Sequence, residues 1–221
     1  MNSVKTSALY TEHASLAYEW LMGFIYPWEA LPHIKDFLLA LGAALPADEY
    51  DNPAPGVWIA KDATVAPTAA INGPCIIDHG AEIRHCAFIR GNALIGKGAV
   101  LGNSSEIKNA ILFDKVQVPH FNYIGDSILG YMSHLGAGAI TSNIKSDKTN
   151  VVIKDGDSTL PTGLRKMGAM VGDHVEVGCN SVLNPGTVIG PHTNVYPLSR
   201  VRGVIPANHI FKSRDCIVPK K

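Results

Sequence analysis

From Ile59 onward the chain places a large apolar residue at every sixth position: Val65, Ile71, Ile77, Ile83, Ile89, Ile95, Leu101, Ile107 and Phe113. Two residues before nearly every one stands a small residue, as at Ala63, Ala69, Cys75, Ala81, Ala87, Ala93, Ala99 and Ser105. A second run follows Val171 through Val177, Leu183, Ile189, Val195 and Val201. Between the runs the spacing survives with slips, through Val118, Ile124, Leu129, Leu135 and Thr141. An α-helix repeats at 3.6 residues and a half-buried strand at 2, so neither produces sixes. A solenoid does. Each hexad supplies one short strand and one turn, and three hexads close a triangular coil of about 18 residues. The large aliphatic points inward, and the small residue two positions earlier fits near a corner. Glycine follows many of the aliphatics, at Gly96, Gly102, Gly125, Gly130, Gly136, Gly172, Gly178 and Gly190. These predict turn positions, where the missing Cβ makes unusual backbone angles cheap. The pattern as a whole predicts an all-β solenoid.

The remainder of the chain lacks the sixes. PWEALPHIKDFLLALGAAL (27–45) sets Leu31, Ile34, Phe37, Leu38 and Leu41 on one helical face, with Pro32 near the helix start. ADEYDNPAPG (47–56) predicts a polar, proline-rich linker. Residues 1–55 therefore predict a helical cap over the open first coil, or an appendage that binds a partner. Residues 56–221 predict the solenoid. IKSDKTNVVIKDGDSTLPTGLRK (144–166) breaks the period and is polar, which predicts a loop excursion over 144–168. Such loops commonly carry function.

Composition narrows the function classes. The chain has 221 residues, 46% of them apolar, and its 19 Lys and Arg balance its 19 Asp and Glu. No global field draws in nucleic acid or a membrane, so an anionic ligand needs a local basic cluster. The four cysteines form no CxxC pair, which predicts reduced thiols and a cytoplasmic protein. The first twenty residues lack a signal pattern, and no apolar run reaches the roughly 18 residues that span a bilayer. His79 and His85 are six apart, on neighbouring faces, and HExxH is absent, so no metal site is predicted. HLGAGAI (134–140) is glycine-rich but lies within the hexads, and neither a phosphate-binding loop nor GxSxG is present. A histidine general base remains, since it titrates near neutrality and can take a proton from an attacking amine.

HFNYIGDSILGYMSHLGAGAITSN (120–143) resembles the acetyltransferase domain of the bifunctional glucosamine-1-phosphate acetyltransferase/N-acetylglucosamine-1-phosphate uridyltransferase. It is also similar to the same domain of archaeal sugar-phosphate nucleotidyltransferases. The likeness runs from about residue 57 to 214 and belongs to the hexapeptide-repeat acyltransferases. It implies a left-handed parallel β-helix, a homotrimer and acetyl-CoA as co-substrate, with no metal needed for the chemistry. It places the catalytic base on His120, a sugar-contacting tyrosine on Tyr123, and the asparagine that holds the amino sugar on Asn143. FIRGNA and NSSEIKNA put the phosphate-binding pair on Arg90 and Lys108. These two are 18 apart, so the repeat itself stacks them one coil apart. His134 replaces a second sugar-contacting asparagine, and Ile144 replaces an aromatic. Lys148 or Lys145 stands nearest the next basic contact, near Thr149. Cys179 falls where the family often has a serine near the thioester, and Lys212 and Arg214 fall where coenzyme A from a neighbouring subunit would bind. The nucleotidyltransferase half has no counterpart here, so no nucleotidyl transfer is expected from this chain. The resemblance implies acetyl-CoA-dependent acetylation of an amino-sugar phosphate. The alternatives are a non-catalytic trimeric scaffold or sugar-phosphate-binding protein, and a hexapeptide metalloenzyme of the carbonic anhydrase kind.

Overall fold

The computed structural model describes residues 2–221. From Val57 the chain winds into a parallel β-helix with three faces. One face stacks the strands at 70–71, 88–89, 106–107, 123–124, 140–141, 182–183 and 200–201. The second stacks 57–59, 75–77, 93–95, 110–112, 127–129, 169–171, 187–189 and 204–205. The third stacks 64–65, 82–83, 100–101, 117–118, 134–135, 176–177, 194–195 and 210–211. The periodic aliphatics fill the interior; Ile77, Ile83, Ile89, Ile95, Leu101, Ile107, Ile124, Leu129 and Leu183 are at most 1% exposed. The small residues Cys75, Ala81, Ala87, Ala93, Ala99 and Ser105 are buried beside them.

The ladder corrects two details of the sequence reading. Ile95 pairs with Leu112, and Leu112 with Leu129, so the step after Ile107 lands on Leu112 and not on Phe113, and the coil is one residue shorter there. Phe113 follows it, in the column that Gly96 occupies one coil earlier, and is buried by stacking on the Tyr10 ring at 5.1 Å. The glycines after the aliphatics are not the left-handed residues. None of the eight has positive φ; that conformation falls on Asn92, Asn109, Phe121, Asp126, Met132, His174, Asn180 and others at the corners. Those glycines instead permit close approach of the next coil: a Cβ on Gly102 would lie 1.6 Å from the Pro119 carbonyl oxygen.

The N-terminal helices do not sit over the open first coil. They lie along the second face. A 3-10 segment, Pro27–His33, leads into an α-helix, Ile34–Ala44, that buries Ile34 and Leu38 and contacts the strands at 75–77, 93–95 and 106–112. Pro32 falls in the 3-10 stretch, where the α-helical clash with a preceding carbonyl does not arise. The Tyr10 hydroxyl donates to the Ile128 carbonyl at 3.3 Å, and the Asp173 carboxylate accepts from the Thr11 and Glu12 amides at 2.7 and 3.1 Å. The second face is apolar because it is covered: these helices cover its earlier coils, and the excursion contacts the strand at 204–205. The linker at 47–56 contains a strand, Tyr50–Ala54, antiparallel to Val57–Ala60. It blunts the outer edge of the first coil, where its prolines need donate nothing. The excursion forms an antiparallel hairpin, Val152–Asp155 with Ser158–Pro161, and buries Val151, Ile153 and Met167. Among the described residues no helix is long and apolar enough to cross a membrane.

Candidate functional site

The first face runs between two corners, and the sequence-predicted residues divide between them. His120 ends the strand Gln117–His120 at one corner and is exposed. Its amide donates to the Asn122 side-chain oxygen at 3.1 Å, and its carbonyl accepts from Gly138 N–H at 3.0 Å. The imidazole hydrogen-bonds to nothing among the described residues. In the next coil Ala137 occupies the same column, and Cys179 follows in the coil after, because the amides of Gly138, Asn180 and Leu198 bond successively to His120, Ala137 and Cys179. The Ala137 N–H has no partner among the described residues. Cys179 is exposed and its thiol is free.

Asn122 holds this corner together and was missed in the sequence. It is 3% exposed. Its Nδ2 donates to the carbonyls of Gly136 and Ala139 at 2.9 and 3.1 Å. A signal was present. Asn122 lies two before Ile124, in the column that Ala87, Ser105, Ala139 and Ser181 fill with small side chains. A larger polar residue there has to be hydrogen-bonded inside the coil.

Across the face, Tyr123 and Asn143 meet Lys108 through Asp126. Asn143 Nδ2 donates to the Tyr123 hydroxyl at 3.2 Å and to Asp126 Oδ2 at 2.5 Å. Lys108 Nζ lies 3.3 Å from Asp126 Oδ2, and Asn109 Nδ2 donates to Oδ1 at 3.0 Å. The Asp126 side chain is only 7% exposed, and three donors compensate its charge there. Burial, with Asp126 and Glu106 nearby, pushes the Tyr123 phenol above its ordinary pKa. It therefore stays neutral and its O–H remains able to donate. Arg90 stacks one coil below Lys108, as the spacing of 18 predicts, through the register Ile89↔Ile107. Arg90 donates to Glu106 at 2.8 Å, and that hydrogen bond holds the guanidinium above its usual pKa. Each member of the predicted basic clamp thus carries its own carboxylate.

The other candidates lie elsewhere. His134 is on the third face, with Nδ1 2.8 Å from Glu176. Lys148 is exposed on the excursion at positive φ, and Lys145 pairs with Asp147 at 3.2 Å. Lys212 Nζ lies 5.9 Å from the Tyr196 ring centroid. Arg214 borders a groove of about 500 Å³ at the C-terminal end, with Lys154, Arg200 and Arg202. None of these four cations pairs with a carboxylate among the described residues. No group of three His, Cys, Asp or Glu side chains is placed to hold a metal ion among the described residues.

The chain is similar to several proteins. It is 31% identical over 109 residues to a bifunctional sugar-1-phosphate nucleotidylyltransferase/acetyltransferase of Sulfurisphaera tokodaii, covering 49% of this chain and 27% of that protein. It is 32% identical over 120 residues to the bifunctional protein GlmU of Methanococcus maripaludis, covering 54% and 29%. The chain thus spans less than a third of the length of these relatives. Among solved structures, it matches the acetyltransferase domain of PglB from Neisseria gonorrhoeae FA1090 with a TM-score of 0.35 and 14% identity, over 85% of this chain and 65% of that one. The family model described as the GMPPB C-terminal domain matches residues 71–195, more than half of the coils described above, and the chain belongs to that family.

Proposed function

We propose that the protein transfers an acetyl group from acetyl-CoA to the amine of an amino-sugar phosphate, with His120 as general base. The observation that carries this reading is the arrangement across the first face. A histidine with an unpartnered ring stands at one corner, and a preorganised Tyr123–Asn143–Asp126–Lys108 cluster reaches the other. The amine attacks the thioester carbonyl while His120 takes its proton. The backbone N–H of Ala137, one coil above His120 and free of any internal partner, receives the developing oxyanion. Collapse breaks the carbon–sulfur bond, and the coenzyme A thiolate recovers the proton from His120. Tyr123 and Asn143 orient the sugar, and Arg90 and Lys108 lie along the phosphate end. His134 and Lys148, on the third face and the excursion, stand outside this arrangement. Coenzyme A runs along the later coils, past Cys179 and Lys212. Its phosphates suit the uncompensated cations of the groove that Arg214 shares with Lys154, Arg200 and Arg202.

The acting unit in this reading is a homotrimer in the cytoplasm. Phe121 and Leu198, 63% and 80% exposed on the His120 corner, supply apolar surface for a neighbouring copy. Light scattering measures the assembly. Acetyl-CoA consumption with glucosamine 1-phosphate tests the reaction. His120→Ala lowers kcat by about 10²–10⁴ if the imidazole is the base, and an unchanged rate removes it from that role. A second reading, a non-catalytic trimeric scaffold, draws on the pairing of Arg90 with Glu106 and Lys108 with Asp126, which leaves neither cation free for a phosphate. Calorimetry separates the two: failure to bind coenzyme A at millimolar concentration supports the second.

A further inference from the structure

A pocket of about 300 Å³ opens beside Asp126, between the returning limb of the excursion and the N-terminal 3-10 segment. Leu31 and Pro32 form one wall, Leu164, Arg165 and Lys166 the other, and Asn109 and Asp126 lie between them. Both walls are tied to the cluster already described. Asn109 Nδ2 donates to the Leu31 carbonyl at 3.3 Å. The Met167 amide donates to the Asn143 carbonyl at 2.9 Å, Gly168 N–H to the Asp126 carbonyl at 2.8 Å, and Lys166 bridges to Ile144. The excursion therefore leaves the solenoid at Asn143 and returns beside it with two cations.

Charge distinguishes these cations from the predicted clamp. Arg90 is matched by Glu106 and Lys108 by Asp126, so that group of four sums to zero. Arg165 and Lys166 are exposed and pair with no carboxylate among the described residues. They are the uncompensated positive charge on this pocket. Asp126 already accepts from Lys108, Asn109 and Asn143, so its repulsion of an incoming anion is largely answered. The opposite wall is apolar and suits the C–H face of a sugar ring. The volume sits at the small end of the range for small-molecule sites, about 300–1,000 Å³. His120 stands at the other corner of the first face, so the pocket lies at the far end of that face from the imidazole.

We propose that Arg165 and Lys166 bind the anionic group of the acceptor, and that Leu31 and Pro32 of the N-terminal segment, with Leu164, wall its sugar ring. This rests on the acetyl-transfer reading for the identity of the acceptor as an amino-sugar phosphate. It gives the excursion and the N-terminal helices one shared role, which is to complete a site the coils alone leave uncharged.

The test is calorimetric titration of the full chain with glucosamine 1-phosphate and with glucosamine. Wild type is compared with Arg165→Gln/Lys166→Gln and with the charge-retaining Arg165→Lys/Lys166→Arg. Both side chains are exposed, so the unfolding midpoint of each variant stays at the wild-type value. Affinity for glucosamine 1-phosphate falls about tenfold or more in the glutamine variant, is kept in the charge-retaining one, and is unchanged for glucosamine in both. Equal affinity of wild type and the glutamine variant for glucosamine 1-phosphate overturns the proposal and leaves the acetyl-transfer reading standing. A wild type that binds glucosamine 1-phosphate no better than glucosamine also overturns it. The acetyl-transfer reading fails by a separate result, the absence of acetyl-CoA consumption by wild type with any amino sugar.

Discussion

Asn122→Ala is the substitution that best tests how the coil and the His120 corner depend on each other. Alanine fits the space, since Ala87 and Ala139 occupy the same column in other coils. The cost is therefore in hydrogen bonds and not in sterics. Four contacts disappear: the donations to Gly136 and Ala139, and the acceptances from His120 N–H and Ser105 Oγ. They are not equal. The Gly136 carbonyl keeps the Ala139 amide at 3.0 Å, and Ser105 Oγ keeps the Val118 carbonyl at 3.2 Å. The His120 amide lies at an exposed residue, where water replaces the lost acceptor. The Ala139 carbonyl belongs to a fully buried residue and is stranded. A stranded buried group costs about 1–3 kcal/mol and each of the three re-solvated or shared bonds about 0.5–1, which totals about 2.5–6 kcal/mol. With a urea m-value of about 3 kcal/mol/M, the unfolding midpoint moves down by about 0.8–2 M. Urea titration by circular dichroism at fixed protein concentration measures it. The acetyl-transfer rate also falls, since the same side chain fixes the backbone of His120 and of the 136–139 turn that carries the Ala137 N–H. A midpoint shift under about 0.2 M refutes the view that Asn122 is the internal brace of this corner.

Gly102→Ala, whose Cβ would meet the Pro119 carbonyl, destabilises by about 3 kcal/mol or more. Gly80→Ala, at φ +64° with nothing within 4 Å, costs only about 1 kcal/mol, and similar losses for the two would refute the close-approach reading. His79 bridges Asp62 at 3.0 Å and Glu49 at 3.2 Å; burial opposes its charge, but these two carboxylates outweigh it and raise its pKa. The bridge's stabilisation is then full below about pH 6.5 and is lost as pH rises through the raised value. The Tm gap between wild type and His79→Gln is largest near pH 6 and shrinks by pH 9; a constant gap contradicts it. Asp173→Asn turns an acceptor of the Thr11 and Glu12 amides into a donor facing them, so hydrogen exchange over residues 5–14 accelerates while the coil strands keep their protection.

The solenoid was legible because one requirement, an aliphatic pointing inward, repeats with nothing to interrupt it. The helix at 34–44 was legible for the same kind of reason, through Ile34 and Leu38 on one stripe. Its position was not. Amphipathic spacing reports that a face is buried without saying against what, and the second face offers apolar residues over many coils, whereas an open end offers one. The strand at Tyr50–Ala54 was hidden by Pro53, which argues against a central strand but is tolerated on an edge.

The candidate site divides along a related line. Residues stacked within one regular stretch, such as Arg90 and Lys108, follow from counting by eighteen. Contacts in the two shorter coils that follow do not. Lys108 meets Asp126 across eighteen positions, but Asn109 and Asn143 meet it at seventeen each, because these coils hold seventeen residues, with Lys108 in register with Gly125 and Tyr123 with Ile140. Asp126 is the residue on which these donors converge, and counting in a fixed period leaves it a turn residue. Charge pairing was hidden as well, since Glu106 and Arg90 are sixteen apart and meet by a diagonal step on the face. What a repeat makes easy to read is its interior, where one chemistry is demanded at every step. Its outer surface is set by the irregularities: the slip between Ile107 and Ala110, the asparagine in a small-residue slot, and an excursion that returns with two unmatched cations. In this chain the slip and the asparagine shape the candidate site, and the same reasoning assigns the excursion to it.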